Sequence, residues 1–480
     1  MKRFILIMII ILPLVSCEDF LKEVPKDRLS EANFYSSKED AIASLNAIYV
    51  PIRENFRTLY LLMLDIQADY AHGRGSTRPL GEYEGFDQTN IDRAATMWLR
   101  FYQSIRNANI SIENISKMEI SESDKSTLIA EARFMRAMCY YHLVRNFGGV
   151  PLYLTTVTDE TERKSVNEVY QAIIDDLQAG ENNLPNSPTQ YGKPSKWSAK
   201  SLLAEVYLTI GEWTLAKNKA KEVIDSGEFS LIEVSSPNDF NSIFGPNLNG
   251  TSEEIFYFKY NHQNGWSWPM NLLWSDTPWG PFGNYVIYSL PSPFFDNWND
   301  DDLRKQWNVF TEYINRFTGQ LETLPASTPI LCSKFRDPDA PSREGFDNDY
   351  PVLRYADVLL IYAEAAVMAD NAVSTTALEY LNQIKRRGYG YPSKVASPVD
   401  FPSDGWTVES FRDTVLLERA YELYMEGDRW FDLKRSGKLK EIILTNTGKI
   451  VKDKHLLWPI PQQEINTNPK INQENQNPGY

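Results

Sequence analysis

WSAKSLLAEVYLTIGEWTLAKNKAKEVIDSG, residues 197–227, is the stretch that decides the fold of this chain of 480 residues. Small and aromatic residues recur in it at Ala204, Tyr207, Gly211, Ala216 and Ala220. This is the spacing of a tetratricopeptide repeat, in which small side chains let paired helices approach closely. The stretch therefore predicts a helix, a turn and a second helix packed on the first.

Further helical patterns lie on both sides of this pair. Leu353 to Met368 and Thr376 to Lys385 have the pattern of another such pair. Leu128 to Val144 is apolar almost all round, which is typical of a buried helix. Arg412 to Lys434 predicts a further long helix that is closed by Gly437, because glycine often follows the last helical residue. The predicted fold class is therefore mainly α, built from tetratricopeptide-like helix pairs.

The helical period disappears between Ser235 and Pro351, where proline, glycine, asparagine and aromatic residues dominate. Short strand-like runs such as Ile255 to Tyr260 occur within it. We interpret this region as an irregular, loop-rich and Trp-rich insert between helical pairs. The tail after Leu456 is rich in Asn and Pro and should wrap over the surface as extended chain. The predicted parts are a signal peptide at 1–16, an N-terminal helical part at 17–234, the insert at 235–350 and a C-terminal helical part with its tail at 351–480.

The N-terminus has the layout of a secretory signal. Lys2 and Arg3 precede a nearly unbroken apolar run from Phe4 to Val15, which is too short to span a bilayer because a span takes about 20 residues. Ser16 stands directly before Cys17, and this ending resembles the lipobox of bacterial lipoproteins. The resemblance implies cleavage before Cys17, acylation of its sulfur and amine, and stable membrane anchoring. The alternative is an ordinary signal with a chance cysteine.

The chain is acidic, with a formal net charge of −15. This sign argues against nucleic acid as a partner, since phosphate binding needs clustered Lys and Arg. It also argues against peripheral binding to anionic lipid, although solubility alone accounts for such a charge. Glu18 and Asp19 directly follow Cys17. Similar acidic pairs direct some lipoproteins to the cell surface, so the protein is expected to face the exterior.

Cysteine and histidine give no pattern for a metal or another cofactor. Besides Cys17 the chain has Cys139, in an apolar helical run where it is typical of a small core residue, and Cys332. A disulfide between these two stays open at this point. The histidines are scattered, without the spacing of a zinc site. Asp300 to Asp302 have the chemistry to hold calcium, but aspartate at a helix start is more often a cap. We therefore expect no cofactor.

Five segments together resemble the SusD/RagB family of nutrient-binding outer-membrane lipoproteins. The segments are Cys17 to Leu21 with Pro25, Glu131 to Ala137 with Phe147 to Pro151, Leu353 to Ala365, Glu418 to Arg435, and Leu457 to Pro461 with the terminal Asn477 to Tyr480. They occur in the order of the family and cover nearly the whole chain after the signal. The resemblance implies a right-handed superhelix of helix pairs with an irregular region that faces a glycan. It also implies capture of oligosaccharides as a lid on a TonB-dependent transporter of the SusC type.

The charged residues in these segments have the pattern of structural ion pairs. On the predicted helix from Leu353, three charged residues fall on one face of a mostly apolar helix: Arg354, Asp357 and Glu364. Such a narrow stripe is typical of pairing with neighbouring helices. The run from Glu418 to Arg435 interleaves many carboxylates with arginines, which favours ion pairing over acid–base catalysis.

Clustered tryptophans in the insert are the candidate ligand platform. They are Trp266, Trp268, Trp274 and Trp279, with glycine and proline among them. A flat C–H face of a sugar lies well on an indole, which loses little rotamer freedom on binding. Tryptophan in irregular chain also fills local cores, which is the competing interpretation for each of them. Trp298 and Trp307 flank the charged run 300–305 and are interpreted as helix anchors.

A Gly-rich segment from Ala71 to Asn90 reads as a long loop and supplies further candidates. The side chains that it offers to a ligand are His72, Arg74, Arg78, Tyr83 and Phe86. In the resembling family, ligand contacts come from loops in these two regions, but the residues vary. The residue list therefore follows from side-chain chemistry and not from a motif.

The leading hypothesis is a glycan-binding module without catalysis that delivers oligosaccharides to a SusC-like transporter. One alternative is a peptide- or protein-binding scaffold, since tetratricopeptide superhelices often bind peptides. A second alternative is a surface glycosidase, which needs two carboxylates about 5–10 Å apart. No carboxylate pair stands out in the sequence for that role.

Overall fold

The computed structural model describes residues 34–57, 59–156, 161–188, 190–264, 276–280 and 287–480. The signal segment and Cys17 lie outside the described residues, as do Trp266, Trp268 and Trp274. No helix among the described residues is long and apolar enough to cross a membrane.

Helices make up most of the regular structure. The longer ones are α1 (Lys38–Arg57), α4 (Gln88–Lys117), α5 (Glu122–Phe147), α6 (Val166–Asn183), α7 (Lys196–Ile210), α8 (Trp213–Asp225), α12 (Tyr355–Asp370), α13 (Thr375–Gly388), α14 (Val408–Glu422), α15 (Arg429–Ser436) and α16 (Leu439–Thr447). The short ones are α2 (Tyr60–Asp65), α3 (Arg78–Gly81), α9 (Asn241–Phe244), α10 (Pro293–Asn297), α11 (Leu303–Asn308) and α17 (Gln462–Thr467).

The strands are short and pair antiparallel, two by two. They are β1 (His72–Gly73), β2 (Glu254–Phe258), β3 (Ile287–Tyr288), β4 (Val309–Phe310), β5 (Glu312–Ile314), β6 (Leu321–Thr323), β7 (Leu331–Cys332) and β8 (Tyr350–Arg354). The pairs are β1 with β3, β2 with β8, β4 with β7, and β5 with β6. An isolated bridge between Ser289 and Ile330 links the ends of β3 and β7.

The predicted helix pair at 197–227 is confirmed as α7 and α8. Gly211 ends α7 with a left-handed φ of 80°, a conformation that glycine adopts without steric cost. The N–H of Glu212 then donates to the carbonyl of Tyr207 at 2.9 Å, which closes the turn. Ala204, Ala216 and Ala220 are fully buried where the two helices meet. The pair therefore forms for the reason that the sequence indicates.

Neighbouring helices pack in one continuous series. α1 packs on α4, and α4, α5, α6, α7 and α8 each pack on the next. α8 then packs on α12, which packs in turn on α13 and α14. The series therefore continues across the insert, whose two ends leave and rejoin the helical layer. The mainly α, tetratricopeptide-like fold class is confirmed.

The prediction of one helix over Arg412 to Lys434 was wrong, because the chain turns between α14 and α15. Met425 and Gly427 both have positive φ, 59° and 88°, which no α-helix contains. The turn is held by the hydroxyl of Tyr350, which donates to the carbonyl of Glu426 at 2.8 Å. It aims the Glu426 side chain at Arg354, 3.0 Å away. Gly437 does end α15, as predicted.

A buried ion-pair network joins the C-terminal helices to the insert. Arg354 contacts Glu422 at 2.5 Å and Glu426 at 2.9 Å, and Arg387 contacts Glu253 at 2.7 Å. The other predicted stripe residues are paired too, with Asp357 on Arg419 and with Glu364 on Arg412 and Arg435. The structural interpretation of both charged segments is therefore confirmed, with Arg354 placed at the end of β8 directly before α12.

Cys139 and Cys332 are both buried and unpaired with each other. The tail after Leu456 runs over the N-terminal helices, as predicted, although it contains the short helix α17. The N–H of Trp458 donates to Asn146 at 2.7 Å, and the amide of Asn477 donates to the carbonyl of Phe147 at 2.9 Å. The C-terminus is thus fastened to the end of α5.

Candidate functional site

The β1–β3 pair brings together the two regions that the sequence singles out. His72 faces Tyr288 and Gly73 faces Ile287, so the Gly-rich segment and the insert share a strand pairing. The rings of His72 and Tyr288 stack with their centroids 5.5 Å apart. Two distant parts of the chain therefore adjoin at the candidate site.

The Gly-rich segment is not the long loop that the sequence predicts. After β1 it forms a 3-10 turn over Gly75–Thr77 and then α3, and α4 already begins at Gln88. Gly73 allows this compact path, because a Cβ at that position would lie 2.5 Å from the carbonyl oxygen of Thr77. The segment is therefore a folded unit with fixed side-chain directions.

Lys449 makes three polar contacts with the Gly-rich segment. Its Nζ lies 2.9 Å from Nδ1 of His72, donates to the carbonyl of Gly81 at 2.7 Å and lies 3.3 Å from Oε1 of Glu82. Burial and the charge of Lys449 lower the pKa of His72, which keeps its imidazole neutral near pH 7. His72 is therefore a structural neighbour of the site, buried beneath it.

The remaining candidate residues of the Gly-rich segment differ in how far their side chains are exposed to solvent. Arg74 and Arg78 are exposed. Tyr83 is only 8% exposed, and its hydroxyl donates to the carbonyl of Gln67. Phe86 packs against Trp458 and Tyr480, with ring centroids 5.7 and 5.9 Å away. The buried ring of Tyr83 cannot stack on a ligand, whereas Phe86 is half-buried and the two arginines are exposed.

Trp279 is the one candidate tryptophan within the described residues, and it is half-buried. Its ring meets Phe310 edge to face at 4.7 Å, and the guanidinium of Arg336 lies 4.7 Å from the ring centre. The carbonyl of Trp279 accepts from the N–H of Asp337 at 2.8 Å. Trp279 thus packs partly on the core and stays partly accessible, and its role as a ligand platform stays a prediction.

The hairpin of β5 and β6 lies beside Trp279 and carries an aromatic ring that sequence reasoning missed. The N–H of Arg316 donates to the carbonyl of Asp276 at 3.0 Å, which ties the hairpin tip to the Trp279 segment. Phe317 at that tip is 70% exposed, with the guanidinium of Arg316 4.4 Å from its ring centre. Nothing in the sequence separates Phe317 from the other phenylalanines, most of which are buried.

The helix-anchor interpretation of Trp298 and Trp307 is confirmed, since both are at most 2% exposed. Their indole N–H groups donate to Asp302 at 3.0 Å and to the carbonyl of Lys334 at 3.1 Å. Asp302 also caps α11 by accepting from the N–H of Arg304 at 2.9 Å. Within the described ranges, no group of three or more His, Cys, Asp and Glu is arranged to hold a metal ion.

Two family models match the chain. The SusD family model matches residues 292–480, and a model described as starch-binding associating with outer membrane matches residues 19–208. Together they span well over half of the sequence. The chain belongs to the SusD-like family.

Individual relatives extend over the full chain. SusD-like protein P2 of Formosa agariphila is 28% identical, with 100% of both chains covered. A SusD homologue of Bacteroides thetaiotaomicron has the same fold, with a TM-score of 0.79, 24% identity and coverage of 94% of this chain and 99% of that one.

Two further solved structures of the same fold carry a ligand class in their names. One is a laminarin-binding SusD-like protein, with a TM-score of 0.75, 24% identity and coverage of 93% of this chain and 100% of that one. The other is surface glycan-binding protein A of Bacteroides fluxus, with a TM-score of 0.72, 21% identity and coverage of 93% and 100%.

Proposed function

We propose that this protein binds oligosaccharides on the surface formed by Arg74, Arg78, Trp279 and Phe317, and performs no chemistry on them. The observation that carries the proposal is the β1–β3 pairing, because it joins the Gly-rich segment, which carries the exposed Arg74 and Arg78, to the insert, which carries the half-buried Trp279. Trp266, Trp268 and Trp274 stay predictions as further contacts in the same insert. The laminarin-binding and surface glycan-binding proteins of the same fold support this ligand class.

The side chains of this surface suit a sugar. The partly exposed ring of Trp279 and the exposed ring of Phe317 offer apolar faces for the C–H side of a pyranose. Arginine supplies several N–H donors in a fixed geometry, which suits hydroxyl oxygens. Because Trp279 is held by Phe310 and Arg336, little freedom is lost when a ligand binds.

We further propose that the protein is lipid-anchored at Cys17 in the outer membrane and passes its ligand to a SusC-like TonB-dependent transporter. The lipobox-like residues and membership of the SusD-like family support this. A Cys17→Ala variant should lose mature lipoprotein from the membrane fraction.

A pull-down of the tagged protein in mild detergent should recover a much larger barrel protein. Recovery of the lipoprotein alone, with unchanged uptake in a deletion strain, would contradict the partnership.

Calorimetry with laminarin- and starch-derived oligosaccharides tests the glycan proposal. Trp279→Ala should weaken binding at least about tenfold, which corresponds to about 1.4 kcal/mol. Trp406→Ala is the matched control, because that tryptophan is also half-buried but packs on Phe401 and Phe411. Equal affinity in both variants would place the site elsewhere.

Chromatography of the mixtures should show intact glycan, and cleavage products would favour the glycosidase alternative. Binding of peptides but of no glycan would favour the peptide scaffold.

A further inference from the structure

A cavity of about 790 Å³ lies apart from the surface described above and shares no residue with it. One wall is the face of α4 from Ala95 to Ile110, a second is the chain from Tyr153 to Thr156, and the third is the start of α17 with Pro461. Its volume is within the range of small-molecule sites, about 300–1,000 Å³. Three walls around one space favour a compact ligand over the flat face of a protein.

The apolar side of this cavity is an aromatic corner. The ring of Tyr102 lies 4.9 Å from Trp98 and 5.9 Å from Tyr153, centroid to centroid. The Tyr102 hydroxyl donates to the carbonyl of Pro151 at 2.7 Å, which fixes the ring. Leu99 adds an aliphatic side chain that is 52% exposed. The corner is thus rigid and can receive a flat C–H face without reorganising.

The polar side of the cavity offers one cation, one anion and an amide. Arg106 is exposed and makes no hydrogen bond or ion pair with another residue in the described part of the chain. Glu464 accepts from the amide of Asn468 at 2.9 Å through one oxygen only, which leaves the other for a ligand. Gln463 lies on the same wall. Because the two charges cancel, an acidic or a basic ligand gains no advantage over a neutral one.

We propose that this cavity is a second carbohydrate site that takes a neutral oligosaccharide. The aromatic corner would carry the C–H face of a pyranose, and Arg106, Gln463 and Glu464 would bind its hydroxyls as donors and acceptors. The inference rests on the proposed function, since it assigns the same ligand class to a second place.

Two sites on one protein change how a polysaccharide is held. Once a chain occupies one site, its next segment meets the other at a high effective concentration, so a polymer long enough to reach both binds more tightly than its short pieces. A short oligosaccharide gains nothing from this. Chain length is therefore a readout that a single site would not give.

Calorimetry with laminarihexaose and maltohexaose tests the second site on the full-length mature protein. We expect two bound oligosaccharides per protein in the wild type and one in Trp279→Ala. Arg106→Ala and Tyr102→Leu should each also leave one. Tyr102→Phe is the conservative control, because it keeps the ring and removes only the bond to Pro151, and it should retain two.

The outcomes separate this inference from the proposed function. One site in the wild type and none in Trp279→Ala overturns the second site and leaves the proposed function intact. If binding is lost in Arg106→Ala but kept in Trp279→Ala, the cavity is supported as a carbohydrate site. The proposal for the surface around Trp279 is then overturned. No binding of either oligosaccharide overturns both. The result for Tyr102→Leu is used only if the helical circular dichroism signal of that variant is unchanged. If Tyr102→Leu does not fold, Arg106→Ala gives the answer, because Arg106 lies at an exposed position.

Discussion

His72 and Tyr288 stack across the β1–β3 pair, although 216 positions separate them in the sequence (288 − 72). Each belongs to one of the two segments that carry the proposed glycan-binding surface of Arg74, Arg78, Trp279 and Phe317. Lys449 supports this contact, because its Nζ hydrogen-bonds to Nδ1 of His72 and to the carbonyl of Gly81. Lys449 therefore contacts one of these two segments without belonging to the proposed surface.

We expect Lys449→Met to weaken glycan binding at the Trp279 surface about three- to tenfold, because the Gly-rich segment loses its internal donor while the side-chain volume is kept. Calorimetry measures the loss. Lys440→Met is the control, since that lysine is 57% exposed and pairs only with exposed Asp453. An unchanged affinity in Lys449→Met would show that the segment holds its shape without it.

Glu422→Gln should destabilise the protein by about 3–5 kcal/mol, the usual cost of breaking a buried ion pair on one side. Glu422 is 3% exposed and faces Arg354, Arg387 and Arg304, which would keep their charges without it. Urea denaturation gives the difference. Glu409→Gln removes a carboxylate that is 77% exposed, and it should cost less than about 1 kcal/mol. Similar midpoints for the two variants would contradict a structural role for the network.

Asp65 should make the stability depend on pH between about 4 and 7. Burial raises its pKa from 3.8 to about 7, against the opposing hydrogen bond from Tyr70. In this window the unfolded chain releases the proton and the folded protein keeps it, so stability falls as pH rises. Relative to Asp65→Asn, the wild type should lose about 3 kcal/mol across the window.

Urea denaturation of both proteins at several pH values checks this prediction. Asp301→Asn, at an exposed aspartate, should follow the wild-type profile. Parallel profiles for the wild type and Asp65→Asn would mean that the Asp65 carboxyl titrates normally in the folded protein.

Gly427→Ala should cost more than Gly437→Ala. Both glycines have positive φ, 88° and 76°, where a Cβ costs about 1–2 kcal/mol. At Gly427 the added Cβ also lies 3.0 Å from Cδ2 of Leu61, whereas at Gly437 it meets open space. The difference in unfolding free energy between the two variants measures the crowding in the turn. Equal costs would mean that Leu61 moves aside freely.

The helical part of the fold was predictable because its signals are local. Alanine spacing and Gly211 define α7 and α8, and a long apolar run with Asp357 and Glu364 on one face marks α12. The turn at 423–428 was not predictable, because it depends on distant partners: the N–H of the left-handed Met425 donates to Tyr70, and the carbonyl of Glu426 accepts from Tyr350. Local sequence patterns contain no information about such long-range contacts.

The candidate site was predictable as two regions but not residue by residue. Tyr83 resembles Trp279 in the sequence, as an aromatic residue among glycines, yet it is buried, whereas Phe86 is half-buried like Trp279. Phe317 and the aromatic corner at Tyr102 were missed because exposure of a ring is a property of the assembled fold. Arg106 is one arginine of a long amphipathic helix, and only the approach of α17 turns its surroundings into a cavity.

The packing of α8 on α12 has a consequence for how such a protein diversifies. The chain leaves the helical layer after Asp225 and returns at Tyr355, and the insert at 235–350 lies between these two points, which the scaffold fixes. Doubling the length of a flexible connection between fixed ends costs only about 0.6 kcal/mol. The exposed loops of the insert, such as residues 315–320 between β5 and β6, can therefore change in length or sequence, whereas its buried residues Glu253, Trp298 and Arg304 contact the C-terminal helices. The proposed ligand surface can thus vary at exposed positions such as Phe317 while the buried contacts keep the scaffold stable.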